Sequence, residues 1–329
     1  MGEVIFMSTQ YIRAPFTALT IGSGPEALYY SVPTDRQGEI DKPLALWLES
    51  LEGFYSEPEI LNGLNKIGCC DPAASLAGLL DQRLIVAESE LNEAGFQEDI
   101  VILGYGMNPA SDCSLAALAV LRDASEVLAF DPPPRIDALR TINPRVRSLE
   151  FHFDRDGVPR KTMLENIAHD VLQACKKQKG LVFALYGNAR VGCHPVSVLL
   201  QLAEKEGLTV RILPGISFFE TSFISFDFDP FEGFSFLRPD SVGNAFPSLH
   251  TIIGGIGYDL DIAGRRDLLT RMVKELLSKY PTVHFVKVIT AARGKVTNFE
   301  VPLAVLPLYA ESIYPGGTSI YLPPIDRSS

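Results

Sequence analysis

Three stretches of the sequence bring small, polar and aromatic residues together at spacings that could do chemistry. The first is Gly104-Tyr105-Gly106, which closes the apolar run Ile100-Val101-Ile102-Leu103. Glycine at a strand end lets the backbone press against a bound nucleotide or amino-acid moiety, because no Cβ intervenes. The spacing is not the dinucleotide fingerprint, since the third glycine position holds Pro109. The second stretch runs Leu185-Tyr186-Gly187-Asn188-Ala189-Arg190-Val191-Gly192-Cys193-His194-Pro195, and the third ends in Pro214-Gly215-Ile216-Ser217. On local grounds, Gly187 and Gly215 are strand-end turns or ligand contacts, Ser217 is a helix cap or a ligand contact, and Tyr186 is a core or pocket residue. His194, ahead of Pro195, reads as a loop residue rather than a base, and Arg190 faces either a pocket or solvent.

The elements that must position these residues follow from hydrophobic periodicity. Apolar strands are expected at 99–106, 126–131, 181–187 and 210–215, with helices at about 114–124, 162–177 and 196–206. Near-continuous apolar strands alternating with helices mean a mostly parallel sheet covered on both faces. Beyond residue 225, further strands (HTIIGGIG, HFVKVIT, TSIYLPP) and a helix near 265–279 form a second α/β lobe. Upstream, FTALTI (16–21) and ALYYSV (27–32) flank the turn Gly22-Ser23-Gly24-Pro25. Three helices follow, opened by Pro43, by Ser56 with Pro58, and by Asp71-Pro72, and then the strand LIVAE (84–88). The expected organisation is a small winged-helix-like α+β domain (1–95), a first α/β lobe (98–224) and a second (225–329).

The second and third stretches, with the Gly104 loop, resemble the tetrapyrrole methylase superfamily, the class III S-adenosylmethionine-dependent methyltransferases. The run from Glu206-Gly207 into Pro214-Gly215-Ile216-Ser217 carries most of that resemblance. Within the superfamily the chain looks most like the borosin enzymes, which N-methylate peptide backbone amides. That narrower likeness rests on ALYGNARVG, Phe226-Asp227-Phe228-Asp229-Pro230, LPLY (306–309) and the ending Tyr321-Leu322-Pro323-Pro324. The resemblance implies a two-lobed fold, a homodimer, and an S-adenosylmethionine site between the lobes. Matching its cofactor loops are Gly104, Tyr105, Gly106, Tyr186, Gly187, Ile216 and Ser217.

In borosin enzymes the stretch matching 151–164 supplies two tyrosines and an arginine that assist removal of the amide proton. Help of that kind is needed because an amide nitrogen is a feeble nucleophile. Here the tyrosine positions hold Phe153 and Met163, and the arginine position holds Pro159, with Arg160 one place along. The catalytic candidates are therefore Arg160, with Tyr105 and Tyr258 as substitutes from other loops.

The 329 residues carry a net charge of −11, and thirteen acidic against four basic residues between Arg36 and Asp99 give that segment −9. Such a surface repels phosphate backbones and argues against nucleic acid as a partner. No window has the ~18 consecutive apolar residues of a membrane span, and the N-terminus lacks signal-peptide features. The five cysteines include the vicinal pair Cys69-Cys70 but no C-x-x-C, so neither a disulfide framework, a zinc site nor any other metal centre is expected. A cytoplasmic protein is the natural expectation.

The hairpin-plus-three-helix pattern of residues 1–95 resembles the PqqD-like modules that hold a leader peptide as an added strand. Fungal borosin enzymes carry their substrate as a C-terminal tail, whereas this sequence closes at Asp326-Arg327-Ser328-Ser329. The expectation is a methyltransferase acting on a separate ribosomally made precursor peptide, its leader held by residues 1–95. The alternatives are a degenerate methylase-fold protein that escorts a peptide or partner enzyme, and a methyltransferase of small, tetrapyrrole-like molecules.

Overall fold

The computed structural model describes residues 9–91, 95–109, 111–131, 133–149, 152, 158–254, 256, 261–292, 295–313 and 318–325. The chain forms two compact units, Met1–Phe218 and Phe219–Ser329.

The first unit opens with β1 (Gln10–Arg13), the hairpin β2 (Thr17–Ile21) and β3 (Glu26–Ser31), then β4 (Arg36–Asp41). Helix α1 (Lys42–Glu49), the two-residue strand β5 (Tyr55–Ser56), α2 (Glu57–Lys66), α3 (Pro72–Asp81) and β6 (Ile85–Ala87) follow. The helix starts fall where the capping residues place them. Ser56 and Glu59 form a capping box, the Ser56 N–H donating to the Glu59 carboxylate at 2.7 Å. Asp71 Oδ1 accepts from the Ala74 N–H at 3.0 Å. β1, β4 and β5 are additions to the expected pattern. Their sequences QYIR, RQGEID and YS are too polar or too short to stand out, and pairing rather than composition makes them strands. Two three-stranded antiparallel sheets result, ordered β5-β1-β6 and β2-β3-β4.

The second half of this unit alternates β7 (Ile100–Gly104), α4 (Leu115–Asp123), β8 (Glu126–Ala129), α5 (Pro133–Ile142) and β9 (Val146–Ser148). It continues with α6 (Arg160–Lys177), β10 (Leu181–Leu185), α7 (His194–Glu206) and β11 (Val210–Leu213). The five strands are all parallel, in the order β11-β7-β10-β8-β9. Every residue of β7 and β10 is buried, and alternate side chains serve opposite cores. Val101 and Leu103 pack with α4 and α5, while Ile100 and Ile102 pack with α6 and α7. Burial of each such side chain is worth ~1.5–3 kcal/mol. Helix α5 and β9 escape the sequence pattern because Pro132-Pro133-Pro134 masks the helix start and β9 is only three residues long.

The hairpin β2–β3 is built into this second half. Phe16 and Val32, at the base of the hairpin, share the α4-side core with Val101, Leu103 and Tyr105. The Phe16 N–H donates to the Asp123 carboxylate at 2.7 Å, Arg122 donates to the Thr17 carbonyl at 3.2 Å, and Arg211 to the Val32 carbonyl at 3.1 Å. Phe16 takes a left-handed backbone (φ 59°), an uncommon state for a bulky residue that these contacts hold in place.

The second unit holds most of α8 (Phe218–Phe226), then β12 (Phe234–Leu237), β13 (His250–Ile253), α9 (Ile262–Leu276), β14 (Phe285–Ala292), β15 (Lys295–Pro302) and β16 (Thr318–Leu322). Its sheet is ordered β12-β13-β16-β14-β15, parallel only between β12 and β13. Leu269, Met272 and Leu276 of α9 pack on Val286, Val288 and Ile320 to form its main core. This is the expected second α/β lobe, with β12 and β15 added. Among the described residues no helix is long and apolar enough to cross a membrane.

Candidate functional site

The carboxyl ends of β7, β10 and β11 converge, and the loops that leave them are held together by backbone. The Tyr105 N–H donates to the Leu185 carbonyl at 2.9 Å. Gly106 and Gly187 then form an antiparallel bridge, Gly187 N–H to Gly106 carbonyl at 2.8 Å and the reverse bond at 3.2 Å. A Cβ on Gly104 would lie 2.5 Å from the Gly187 carbonyl oxygen and 2.9 Å from the Gly215 nitrogen. One on Gly215 would run into the same Gly187 oxygen and lie 2.5 Å from that of Gly104. These glycines let three loops close on one another, so the close approach inferred from the sequence is first of all backbone on backbone. Gly106 adds a positive φ of 83° and a second constraint, since its Cβ would lie 2.5 Å from that of Asp112. Asp112 in turn pins the loop by accepting from the Asn108 N–H at 2.9 Å.

Of the residues expected to face a cofactor, Gly104, Gly106 and Gly187 meet at this point, and Gly215 joins them. Tyr186 and Ile216 are partly exposed, at 37% and 45%. Ser217 is buried just ahead of α8. Arg190 is exposed, its N–H bonded to Asn188 Oδ1 at 2.9 Å. His194 is the first residue of α7. Tyr105 is fully buried, and its hydroxyl donates to Asp131. Arg160 is the first residue of α6 and Met163 lies in its first turn. Tyr258 and Phe153 lie outside the described residues.

Two charged residues at this site were not singled out from the sequence. Asp131 follows β8 and is 7% exposed; Arg135, in α5, donates to its Oδ1 at 3.3 Å. The Arg135 guanidinium also lies over the Tyr186 ring, 3.8 Å from its centroid. Burial pushes the Asp131 carboxyl above the usual carboxylate range, opposed by the Tyr105 hydrogen bond and by Arg135. Burial, then the neighbouring Asp131, raises the Tyr105 hydroxyl far above an ordinary phenol. Tyr105 therefore stays neutral and serves as a donor, not as a base. The signal that could have found Asp131 is an acidic residue just past the carboxyl end of an apolar parallel strand, where ligands bind in open α/β sheets.

Burial also pushes the Cys113 and Cys193 thiols up to about 11, so neither is a thiolate nucleophile at neutral pH. The arrangement is a rigid glycine platform, an exposed aromatic–aliphatic rim (Tyr186, Ile216) and a buried carboxylate beneath. It suits holding an apolar or cationic small molecule better than covalent chemistry.

No family model matches the chain. It is 25% identical over 246 residues to a methyltransferase and type II borosin cyclic-peptide precursor of Phlebiopsis gigantea, covering 70% of this chain and 44% of that protein. It is 25% identical over 249 residues to the methyltransferase and omphalotin A precursor of Omphalotus olearius, covering 70% and 58%. An uncharacterised Bacillus subtilis protein, YabN, is 26% identical over 230 residues, covering 69% and 45%. The chain thus spans about half the length of these curated relatives. Among solved structures, the methyltransferase CobJ superposes with a TM-score of 0.51 at 12% identity, covering 69% of this chain and 94% of that one. Uroporphyrin-III C-methyltransferase of Thermus thermophilus, complexed with S-adenosylhomocysteine, gives 0.51 at 17%, covering 68% and 96%. The fold is that of the tetrapyrrole methylases, and the sequence is related to the borosin methyltransferases.

Proposed function

We propose that this protein is an S-adenosylmethionine-dependent methyltransferase whose acceptor is a separate, ribosomally made peptide. The observation that supports it is the closure of Gly104, Gly187 and Gly215 at the strand ends beside the exposed Tyr186 and Ile216. The fold is one shared with a methyltransferase complexed with S-adenosylhomocysteine. The backbone of Gly104, Gly106 and Gly187, with Tyr186 and Ile216, would hold the cofactor, which supplies an electrophilic methyl group when bound. The residues of this chain position and desolvate; nothing in the site calls for a covalent intermediate. Asp131 fixes Tyr105 beneath the loops and Arg135 above Tyr186, so these are positioning residues. Arg160, at the start of α6, is the cationic candidate beside the acceptor amide. The reading extends to a cytoplasmic homodimer whose N-terminal α+β module holds the peptide's leader.

Calorimetry with S-adenosylmethionine on the wild type and on Gly104→Trp tests the cofactor site. Binding by the wild type and none by the folded variant is expected, and no binding by folded wild type overturns the proposal. Mass spectrometry of a co-expressed peptide, in which each methylation adds one CH₂, then tests the acceptor. An unchanged peptide mass with intact cofactor binding would leave an escort role, the reading that loss of the two tyrosines favours.

A further inference from the structure

Arg135 leaves most of its donors unused, unlike the arginines that brace the lobe around it. Arg122 donates through Nε and Nη2 to Asp123 and again to the Thr17 carbonyl. Arg145 donates to the Ala124 carbonyl and to Asn143, and Arg147 engages both oxygens of Glu126. Among the described residues Arg135 makes one hydrogen bond, from Nη1 to Asp131 Oδ1 at 3.3 Å. That is long for a charge-assisted bond, which spans about 2.7–2.9 Å. The other Asp131 oxygen, Oδ2, accepts from Tyr105. The Arg135 side chain is 35% exposed, and its guanidinium lies over the Tyr186 ring, 3.8 Å from the centroid.

Tyr186 immediately precedes Gly187, the glycine on which Gly104 and Gly215 close, so this cation stands beside the platform. A ring beneath a guanidinium supports its plane without engaging the N–H groups that lie in that plane. Asp131 and Tyr186 therefore orient a fork whose remaining N–H groups have no acceptor among the described residues. Such a fork matches a carboxylate, which takes two parallel N–H bonds. The acids already at the site are engaged: Asp131 by Tyr105, and Asp112 by the Asn108 N–H and the Ser111 hydroxyl. A neutral acceptor amide offers the fork a weaker partner than an anion does. At the amino-acid end of S-adenosylmethionine the carboxylate is the one anion, beside a cationic ammonium and sulfonium. We infer that Arg135 receives this carboxylate, so that the site selects S-adenosylmethionine over adenosyl sulfonium ligands that lack it. The inference rests on the S-adenosylmethionine reading and adds to it the residue that selects the ligand. Tyr186 and Ile216 cannot make that distinction, since neither side chain offers a cation.

Calorimetry on the full chain with S-adenosylmethionine, S-adenosylhomocysteine and decarboxylated S-adenosylmethionine tests this. The last keeps the sulfonium and the ammonium and lacks only the carboxylate. The wild type should bind S-adenosylmethionine ~10-fold more tightly than its decarboxylated form. Arg135→Gln should lose ~10-fold for both carboxylate ligands and less than ~2-fold for the decarboxylated one. Arg135→Lys should keep part of the discrimination, because it keeps the charge without the fork. The control Arg190→Gln, at an exposed arginine of the neighbouring loop, should leave all three affinities unchanged. Equal loss of the three ligands in folded Arg135→Gln would make the residue a support for Tyr186 alone and overturn the inference. So would a carboxylate-specific loss in Arg190→Gln, or a wild type that holds the decarboxylated ligand as tightly as S-adenosylmethionine. The wild-type comparison and Arg135→Lys carry the test if Arg135→Gln does not fold. S-adenosylmethionine bound without discrimination leaves the methyltransferase reading standing, whereas a folded wild type that binds none of the three removes both.

Discussion

Two tyrosines, one in each compact unit, are held by acidic or basic partners, and the contrast between them is instructive. Tyr105 has no exposure and donates a hydrogen bond to Asp131, itself buried and shared with Arg135. Tyr321, 4% exposed, lies 2.6 Å from His250 Nδ1, and His250 Nε2 lies 3.0 Å from Glu232. A neutral imidazole with Nδ1 accepting and Nε2 donating satisfies both bonds. The ring is stacked on Phe228 at 4.3 Å, and Phe228 on Tyr321 at 5.3 Å. Burial, then Glu232 and Asp227, pushes the Tyr321 hydroxyl up to about 12. Both hydroxyls are thus held neutral, but by different neighbours. Around Tyr105 the partner is a buried carboxyl beside the glycine loops, also held by Arg135. Around Tyr321 the partner is a ring in an aromatic stack, with Glu232 largely exposed at the end of the chain of bonds. The first arrangement fixes a site, whereas the second fixes the end of a sheet.

The sharpest way to break the comparison is to break the platform. Gly215→Ala forces a Cβ against the Gly187 and Gly104 carbonyl oxygens, and these are backbone atoms that cannot swing aside. A loss of ~3 kcal/mol is expected in urea unfolding with an unchanged m-value. Gly24→Ala, with no atom within 4 Å of its Cβ and, like Gly215, no left-handed backbone, is the matched control. A loss in Gly215→Ala no larger than in the control would show that the loops are not locked together.

The next effect is that of Asp131, and its sign with pH is fixed. The carboxyl is raised in the folded protein above its ordinary value of 3.8. Below that value it is protonated in both states and imposes no cost. As pH rises from about 4, the unfolded chain ionises first, and stability is lost until the folded value is passed. The stability of wild type relative to Asp131→Asn should therefore fall as pH rises through this window, read by urea melts of both proteins. A difference that stays level with pH would place Asp131 on the same footing as an exposed carboxylate.

The smallest effect belongs to Tyr321. Tyr321→Phe leaves His250 Nδ1 without its donor, at a cost of about 1 kcal/mol. In an ultraviolet titration the variant should lack a phenol that ionises at about 12. Loss of a phenol of ordinary pKa instead would mean that the aromatic stack does not enclose the hydroxyl.

Legibility in the sequence followed the range of the forces involved. The buried apolar strands β7 and β10, the largely buried β8 and the capped helices α2, α3 and α4 could be read directly, because their apolar runs and their Ser56, Asp71 and Ser114 caps are local. β4 and β5 could not, since polar strands owe their state to a partner elsewhere in the chain. Tyr105 was legible as a member of the site, but its burial was not. Asp131 and Arg135 were missed because nothing in Phe130-Asp131 or Pro134-Arg135 says that a carboxylate will meet a tyrosine 26 residues earlier.

The sequence by itself determined the alternation of strand and helix, the glycine-marked loops, the acidity of the first ninety-nine residues and the resemblance to a methylase family. Each depends on residue type and spacing alone. Only the tertiary structure decided that Gly104, Gly187 and Gly215 serve one another, that the β2–β3 hairpin roots in the core beneath Tyr105, and that Glu26 of β3 stands opposite Asp41 of β4. Those facts concern distances between residues far apart in the chain, and such distances are set by packing, which no local pattern encodes.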